Sequence, residues 1–211
     1  MKRSRYRWCL PLLLTAAFTA ACSSNQGNDP GPTTGSSEPS TPSTSAAQSR
    51  PTLTAPSLQP PTQPSRFITS RRPQVVFDPC TWIPEDAIAK AGYDPQSRTR
   101  GGDQIAEDTF LICNFSSKQR TLSVLSGNVS WEEDLKKNSS WSEPITINGR
   151  EAMWVRDPGL PIGCDIHLRT KAGFVDVGVT LTLSGRGELA KPCDGLLETA
   201  TAIEPSIGKD N

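Results

Sequence analysis

The sequence predicts an α+β domain over residues 66–211: a mainly antiparallel sheet of about six strands, with helices packed on one face. Three observations carry that expectation. Ile145-Thr146-Ile147, Asn148-Gly149 and Arg150 to Val155 form two strand-like arms around a dipeptide that readily takes the positive φ angles of a type I′ turn. Two later segments alternate apolar and polar residues with a period of two, so each buries a single face. Helical segments are interspersed, in the order helix, two strands, helix, four strands, helix.

Taken along the chain, Pro84 starts a short helix with Glu85 and Asp86 in its first turn, apolar Ala87, Ile88 and Ala91, and Gly92 at its end. Phe110 to Phe115 is an apolar run suited to a buried strand, and Arg120 to Ser126 continues it after the polar turn Ser116-Ser117-Lys118-Gln119. Trp131 to Asn138 is helical, with Glu132, Glu133 and Asp134 where the helix dipole favours acids. After the hairpin, Cys164, Ile166 and Leu168 alternate with Asp165, His167 and Arg169. Val175, Val177, Val179, Leu181 and Leu183 alternate with Asp176, Gly178, Thr180, Thr182 and Ser184. On this pattern His167 belongs to a solvated sheet face. Leu196, Leu197, Ala200 and Ile203 mark a last helix, stopped by Pro205.

The ends of the chain speak of location. Lys2, Arg3, Arg5 and Arg7 precede an apolar run from Trp8 to Ala21 that is shorter than the roughly 20 residues a membrane span needs, so residues 1–21 are expected to be a cleaved signal peptide. Cys22 follows the small residues Thr19-Ala20-Ala21 as in a bacterial lipobox, although Thr19 stands where Leu, Val or Ile is usual. Two acyl chains on Cys22 would supply the double signal that stable membrane attachment requires, on the outer face of the cytoplasmic membrane. Between Ser23 and Ser65, ten serines, seven threonines, nine prolines and three glycines make up 29 of 43 residues. Such a composition cannot offset its ordering entropy, and residues 22–65 are expected to form a disordered tether. A flexible chain of that length spans roughly 35 Å.

The net charge of the whole chain is zero, from 22 basic and 22 acidic residues, but the part from Arg66 onward has 17 basic and 20 acidic groups. A mildly acidic domain argues against nucleic acid as a partner. Its four cysteines, Cys80, Cys113, Cys164 and Cys193, are expected to be oxidised in an exported chain. Three connectivities exist; Cys80 with Cys113 and Cys164 with Cys193 is preferred, each closing a loop of about 30 residues worth about 3 to 4 kcal/mol. No C-x-x-C spacing and a single histidine argue against zinc.

Phe77-Asp78-Pro79-Cys80-Thr81-Trp82 opening a helix, Cys113-Asn114-Phe115 in the first strand, and Cys193 leading an amphipathic helix, behind a lipobox and a Ser/Thr/Pro tether, resemble the actinobacterial lipoproteins called domain of unknown function 3558. The resemblance covers about Val76 to Ile207, and Asp78-Pro79-Cys80 is its most specific motif. It supports the two preferred disulfides and implies no catalytic residues.

The sequence holds no nucleophile elbow, metalloprotease helix or phosphate loop, and no cofactor is expected. Gly185-Arg186-Gly187-Glu188-Leu189-Ala190 matches a dinucleotide fingerprint by coincidence, since only 21 residues follow it, and is expected to be a loop. Trp131 and Trp141 flank a polar segment and are the candidate contacts for a ligand or envelope protein. The leading expectation is therefore a non-catalytic accessory module that binds a small molecule or an envelope protein. The competing one is a small carboxylate-dependent envelope hydrolase using Asp103 and Glu107.

Overall fold

In a computed structural model, which describes residues 53–211, seven antiparallel strands form one sheet in the order β1-β2-β3-β7-β6-β5-β4. The strands are β1 (Asp94–Arg100), β2 (Phe110–Ser116), β3 (Arg120–Gly127), β4 (Ser142–Ile147), β5 (Arg150–Val155), β6 (Gly163–Arg169) and β7 (Phe174–Leu181). The helices are α1 (Pro79–Trp82), α2 (Glu85–Lys90), α3 (Trp131–Asn138), α4 (Leu183–Gly187) and α5 (Leu196–Ile207). The α+β class holds, with one strand more than expected.

The extra strand is β1, Asp-Pro-Gln-Ser-Arg-Thr-Arg, which has no apolar alternation to announce it. Its inward side chains are arginines. Arg98 donates to the carbonyls of Cys80 at 3.0 Å and Ile83 at 2.9 Å, and its guanidinium lies 4.9 Å from the Phe115 ring centroid. Arg100 reaches Asp78, Asp103 and the carbonyl of Leu58. This edge strand is therefore held by charge-assisted hydrogen bonds to the end of α1 rather than by burial.

Strand alternation sorts the core into two layers. Cys113, Phe115, Leu122, Val124, Ala152, Cys164, Ile166, Leu168, Val175, Val177 and Val179 face α1, α2 and α5, whose Cys80, Ile83, Ile88, Leu196, Ala200, Ile203 and Ile207 complete the main core. The opposite face carries a second, smaller cluster. There Met153, Val155 and Phe174 pack with Trp131 of α3, and Leu125, Leu135 and Trp141 join them. Three helices thus share one face as expected, while α3 covers part of the other.

Both disulfides join Cys80 to Cys113 and Cys164 to Cys193, with Cα–Cα separations of 5.0 and 5.2 Å. The first pins α1 to β2, and the second pins β6 to the segment leading into α5.

Two local expectations change. Asn148 (φ 50°) and Gly149 (φ 86°) form the expected turn with both central residues at positive φ. That turn also explains why Pro205 does not end α5: proline supplies no N–H to the Thr201 carbonyl four residues back, and Asn148 Nδ2 donates to that carbonyl instead, at 3.2 Å. The alternation expected to run through Ser184 ends at Leu181, and Leu183–Gly187 is a short helix, α4, in place of a strand end and a loop; the Thr182 hydroxyl caps it by accepting from the Gly185 N–H.

Residues 53–65, assigned by composition to the tether, pack on the domain. The Leu53 N–H donates to the Thr81 carbonyl at 2.9 Å, Gln63 brackets the backbone of Val75 through both its amide atoms, and Leu58 rests on the main core. Composition predicted disorder because it counts apolar residues and not backbone groups; here backbone pairing and one leucine supply the contact. The rest of the expected tether, with Cys22 and the signal peptide, lies outside the described residues. Among the described residues, no helix is long and apolar enough to cross a membrane.

Candidate functional site

Two places concentrate chemistry, one under α3 and one at its N-terminal end. Ser130 and Glu133 close a capping box at the start of α3, the Ser130 hydroxyl accepting from the Glu133 N–H. The resulting helix presents Trp131, Asp134, Leu135 and Asn138 to the sheet. Asp134 is therefore buried, at 3% exposure, and accepts from Asn138 Nδ2 at 2.9 Å. Its other oxygen lies 2.6 Å from His167 Nδ1 on β6.

His167 corrects the sequence expectation. It does project from the polar side of its strand, but α3 covers that side and leaves the residue 8% exposed, with its ring stacked on Phe174 at 4.9 Å. Its Nε2 is 3.7 Å from Asp176 on the paired strand β7. Asp165 completes the group: it pairs with Gly178, where an added Cβ would fall 2.5 Å from the Asp165 carboxylate and 3.3 Å from that of Asp176. Glycine at 178 makes the room two neighbouring carboxylates need.

The electrostatics follow from burial. Desolvation pushes the Asp176 carboxyl up to about 7, against the pull of His167. Burial likewise raises Asp165. For His167, burial lowers the pKa, yet the surrounding Asp176, Asp134 and Asp165 outweigh it and the net direction is upward. Both recorded partners of the imidazole nitrogens are carboxylates, one of them beneath a helix. This arrangement holds the imidazole between two carboxylates inside the fold. Among the described residues, no group of three or more His, Cys, Asp or Glu side chains is arranged to hold a metal ion.

The second place is a surface groove. At the N-terminal end of α3, a cleft of about 460 Å³ is walled by Arg71, Trp131, Arg169, Lys171 and Lys209 among others. Its floor is set by the β6–β7 turn, which Thr170 closes by exchanging backbone and hydroxyl hydrogen bonds with Gly173, so that Lys171 and Ala172 stand at a fixed tip. Pro73, Lys171, Ala172 and Asn211 continue into a mainly apolar cleft of about 350 Å³ that also meets Val76 and Trp82. Gln74, Val76 and Trp82 then border a third, of about 490 Å³, against Pro60 and Pro61. Each lies in the size range of small-molecule sites.

The two expected ligand contacts fare differently. Trp131 is core, 3% exposed, with Nε1 donating to Glu151, and is one of the residues lining the first cleft. Trp141 is half-buried in the α3 layer and donates to Asn138. The tryptophan shared by two clefts is Trp82, beside the first disulfide, in the Phe77–Trp82 motif. Its signal in the sequence was that motif, but nothing there showed that it lines two clefts. Asp103, offered for hydrolysis, is occupied: it pairs with Arg100 and accepts from the Ile112 N–H at 2.7 Å.

No curated protein and no solved structure matches the chain. A family model described as "Protein of unknown function (DUF3558)" matches residues 17–206, and the chain belongs to that family.

Proposed function

We propose that the protein is a cell-envelope lipoprotein, anchored through Cys22 to the outer face of the cytoplasmic membrane, whose domain is a non-catalytic binding module. The observation that carries the binding role is the groove of three adjoining clefts, which share Lys171, Ala172, Val76 and Trp82 as common walls. The basic, apolar and small-residue order of residues 1–22 supports export and lipidation, and the two disulfides suit an oxidising compartment. The hydrolase reading is less favoured, because the Asp103 carboxylate already pairs with Arg100 and accepts from the Ile112 N–H.

Two experiments test the two halves. Cys22→Ala is expected to move the protein from the membrane fraction to the medium, and persistent membrane fractionation of that variant refutes the anchor. A photo-crosslinking residue placed at Val76, 53% exposed in the groove, is expected to capture a defined adduct in native membranes. The same residue at Leu189, 87% exposed on another part of the surface, is expected to capture none. Equal labelling at both positions, or none at Val76, removes the binding reading.

A further inference from the structure

We propose that the groove takes a single-chain anionic amphiphile, with its acidic headgroup among Arg71, Lys171 and Lys209 and its alkyl chain along Pro73, Val76, Ala172 and Trp82. The proposal rests on the reading of the groove as a binding site and names the chemistry of what binds there.

Charge complementarity selects the headgroup. The two acidic side chains in the wall of the first cleft, Glu132 and Glu151, are both taken by Arg169, at 3.1 and 2.8 Å. Arg150 in the same wall is spent on Glu204 at 2.9 Å and on backbone carbonyls. Arg71, Lys171 and Lys209 have no carboxylate in ion-pair range among the described residues. Three unmatched cations therefore surround one concave space on a domain with more acidic than basic groups. A cleft with an excess of cations focuses the field on an anion and raises its local concentration, while Asp210 lines the adjoining cleft. The acidic average of the domain hid this site.

Continuity selects the tail. The adjoining cleft shares Lys171 with the first, so a headgroup bound to that ammonium has its substituent directed along the Lys171 stem towards Pro73, Ala172, Val76 and Trp82. Val76 is left more than half exposed beside the indole, an apolar surface that water covers only at a cost. At roughly 30 Å³ per methylene, about the volume of a water, this cleft of about 350 Å³ has room for one alkyl chain of about a dozen carbons. A small hydrophilic anion would use only the first cleft, and a neutral lipid would leave the three cations unmatched.

The test titrates the full chain carrying Cys22→Ala, which has no acyl groups of its own, with dodecyl phosphate below its micelle concentration. One molecule is expected to bind per chain, at least tenfold more tightly than butyl phosphate or dodecanol. Lys171→Glu with Lys209→Glu is expected to weaken dodecyl phosphate at least tenfold, whereas Val76→Asp weakens dodecyl phosphate but not butyl phosphate. All three positions are at the surface, and thermal melting confirms that each variant is folded. Lys136→Glu with Lys137→Glu, at the far end of α3, serves as the charge control and is expected to change nothing. Equal binding by wild type and the Lys171/Lys209 variant, or no binding at all, overturns the proposal. Should the Val76 crosslink persist without dodecyl phosphate binding, the amphiphile is wrong and the groove still binds; should both fail, the binding reading falls with it.

Discussion

Asp134→Ala is expected to lower the unfolding free energy by about 3 to 4 kcal/mol, measured by urea denaturation at neutral pH. Breaking one partner out of a buried charged pair costs about that much, because the other partner stays in the low-dielectric interior uncompensated. Here the stranded groups are two. His167 loses the acceptor 2.6 Å from Nδ1, and Asn138 loses the acceptor 2.9 Å from Nδ2. A loss below about 1 kcal/mol would show that α3 docks by Trp131 and Leu135 alone. Asp176→Asn moves the other way. Asp176 Oδ1 is buried without a hydrogen-bond partner, so its ionised form is a liability, and the amide is expected to stabilise the domain by about 2 kcal/mol at pH 8.

The pH dependence has a definite sign. Asp176, Asp165 and His167 all have raised pKa values, so the folded cluster binds protons more tightly than the unfolded chain does. Stability from this cluster is largest in acid. It falls as pH rises from the carboxylate range near 4 through about 7, the value to which Asp176 is pushed, and His167 extends the fall upward from its ordinary pKa near 6.5. The advantage of Asp176→Asn should accordingly shrink with falling pH and be gone below about pH 4. The lowered pKa values of Glu133, Glu151 and Glu188 act in the opposite sense, but only in the acid range below their ordinary pKa near 4.5.

Arg100→Ala is expected to cost about 3 to 5 kcal/mol, for a related reason at the other edge of the sheet. The Arg100 guanidinium is mostly buried between Asp78 and Asp103, whose side chains are 4% and 8% exposed, and it also donates to the Leu58 carbonyl. Removing it leaves two buried carboxylates without the cation bonded to both. Arg100→Lys should recover little of the loss, because one ammonium cannot meet three acceptors spread around a planar fork. Hydrogen exchange provides a local readout: amides of residues 53–58 are expected to lose protection in both variants. Retention of stability within about 1 kcal/mol by Arg100→Lys would refute the fork argument.

Elements with strong periodicity or a turn motif were legible in the sequence. β2, β3, β5, β6 and α3 stand at or within a residue of their expected bounds, Asn148-Gly149 joins β4 to β5 as expected, β4 starts and β7 ends three residues earlier than expected, and both disulfides join the expected partners. What escaped has a common cause: strand alternation tells which side of a sheet a residue takes, and not what lies on that side. His167 and Asp176 were correctly placed on the polar face of β6 and β7, yet α3 roofs that face. The available clue was the pair Trp131 and Leu135, four residues apart on α3, which marks a buried helical stripe with Asp134 beside it. In β1 the inward positions are arginines, so a hydrophobic pattern could not reveal it. Trp82 and Lys171 come from segments about 90 residues apart, and a groove made by their meeting has no local signature.

The attachment of Leu53 to Thr81 has a mechanical consequence. A pull transmitted along the chain from residue 52 enters the domain at Leu53, whose N–H is bonded to the residue next to Cys80. Cys80 is covalently joined to Cys113 in β2, which is itself hydrogen-bonded along its length to β3. Load would first peel the short strap of residues 53–65 and then meet a bridged strand pair. If the leader is a membrane tether, the strap is a shock absorber, and its peeling would open the third cleft along Pro60 and Pro61 before the bridged strands carry load.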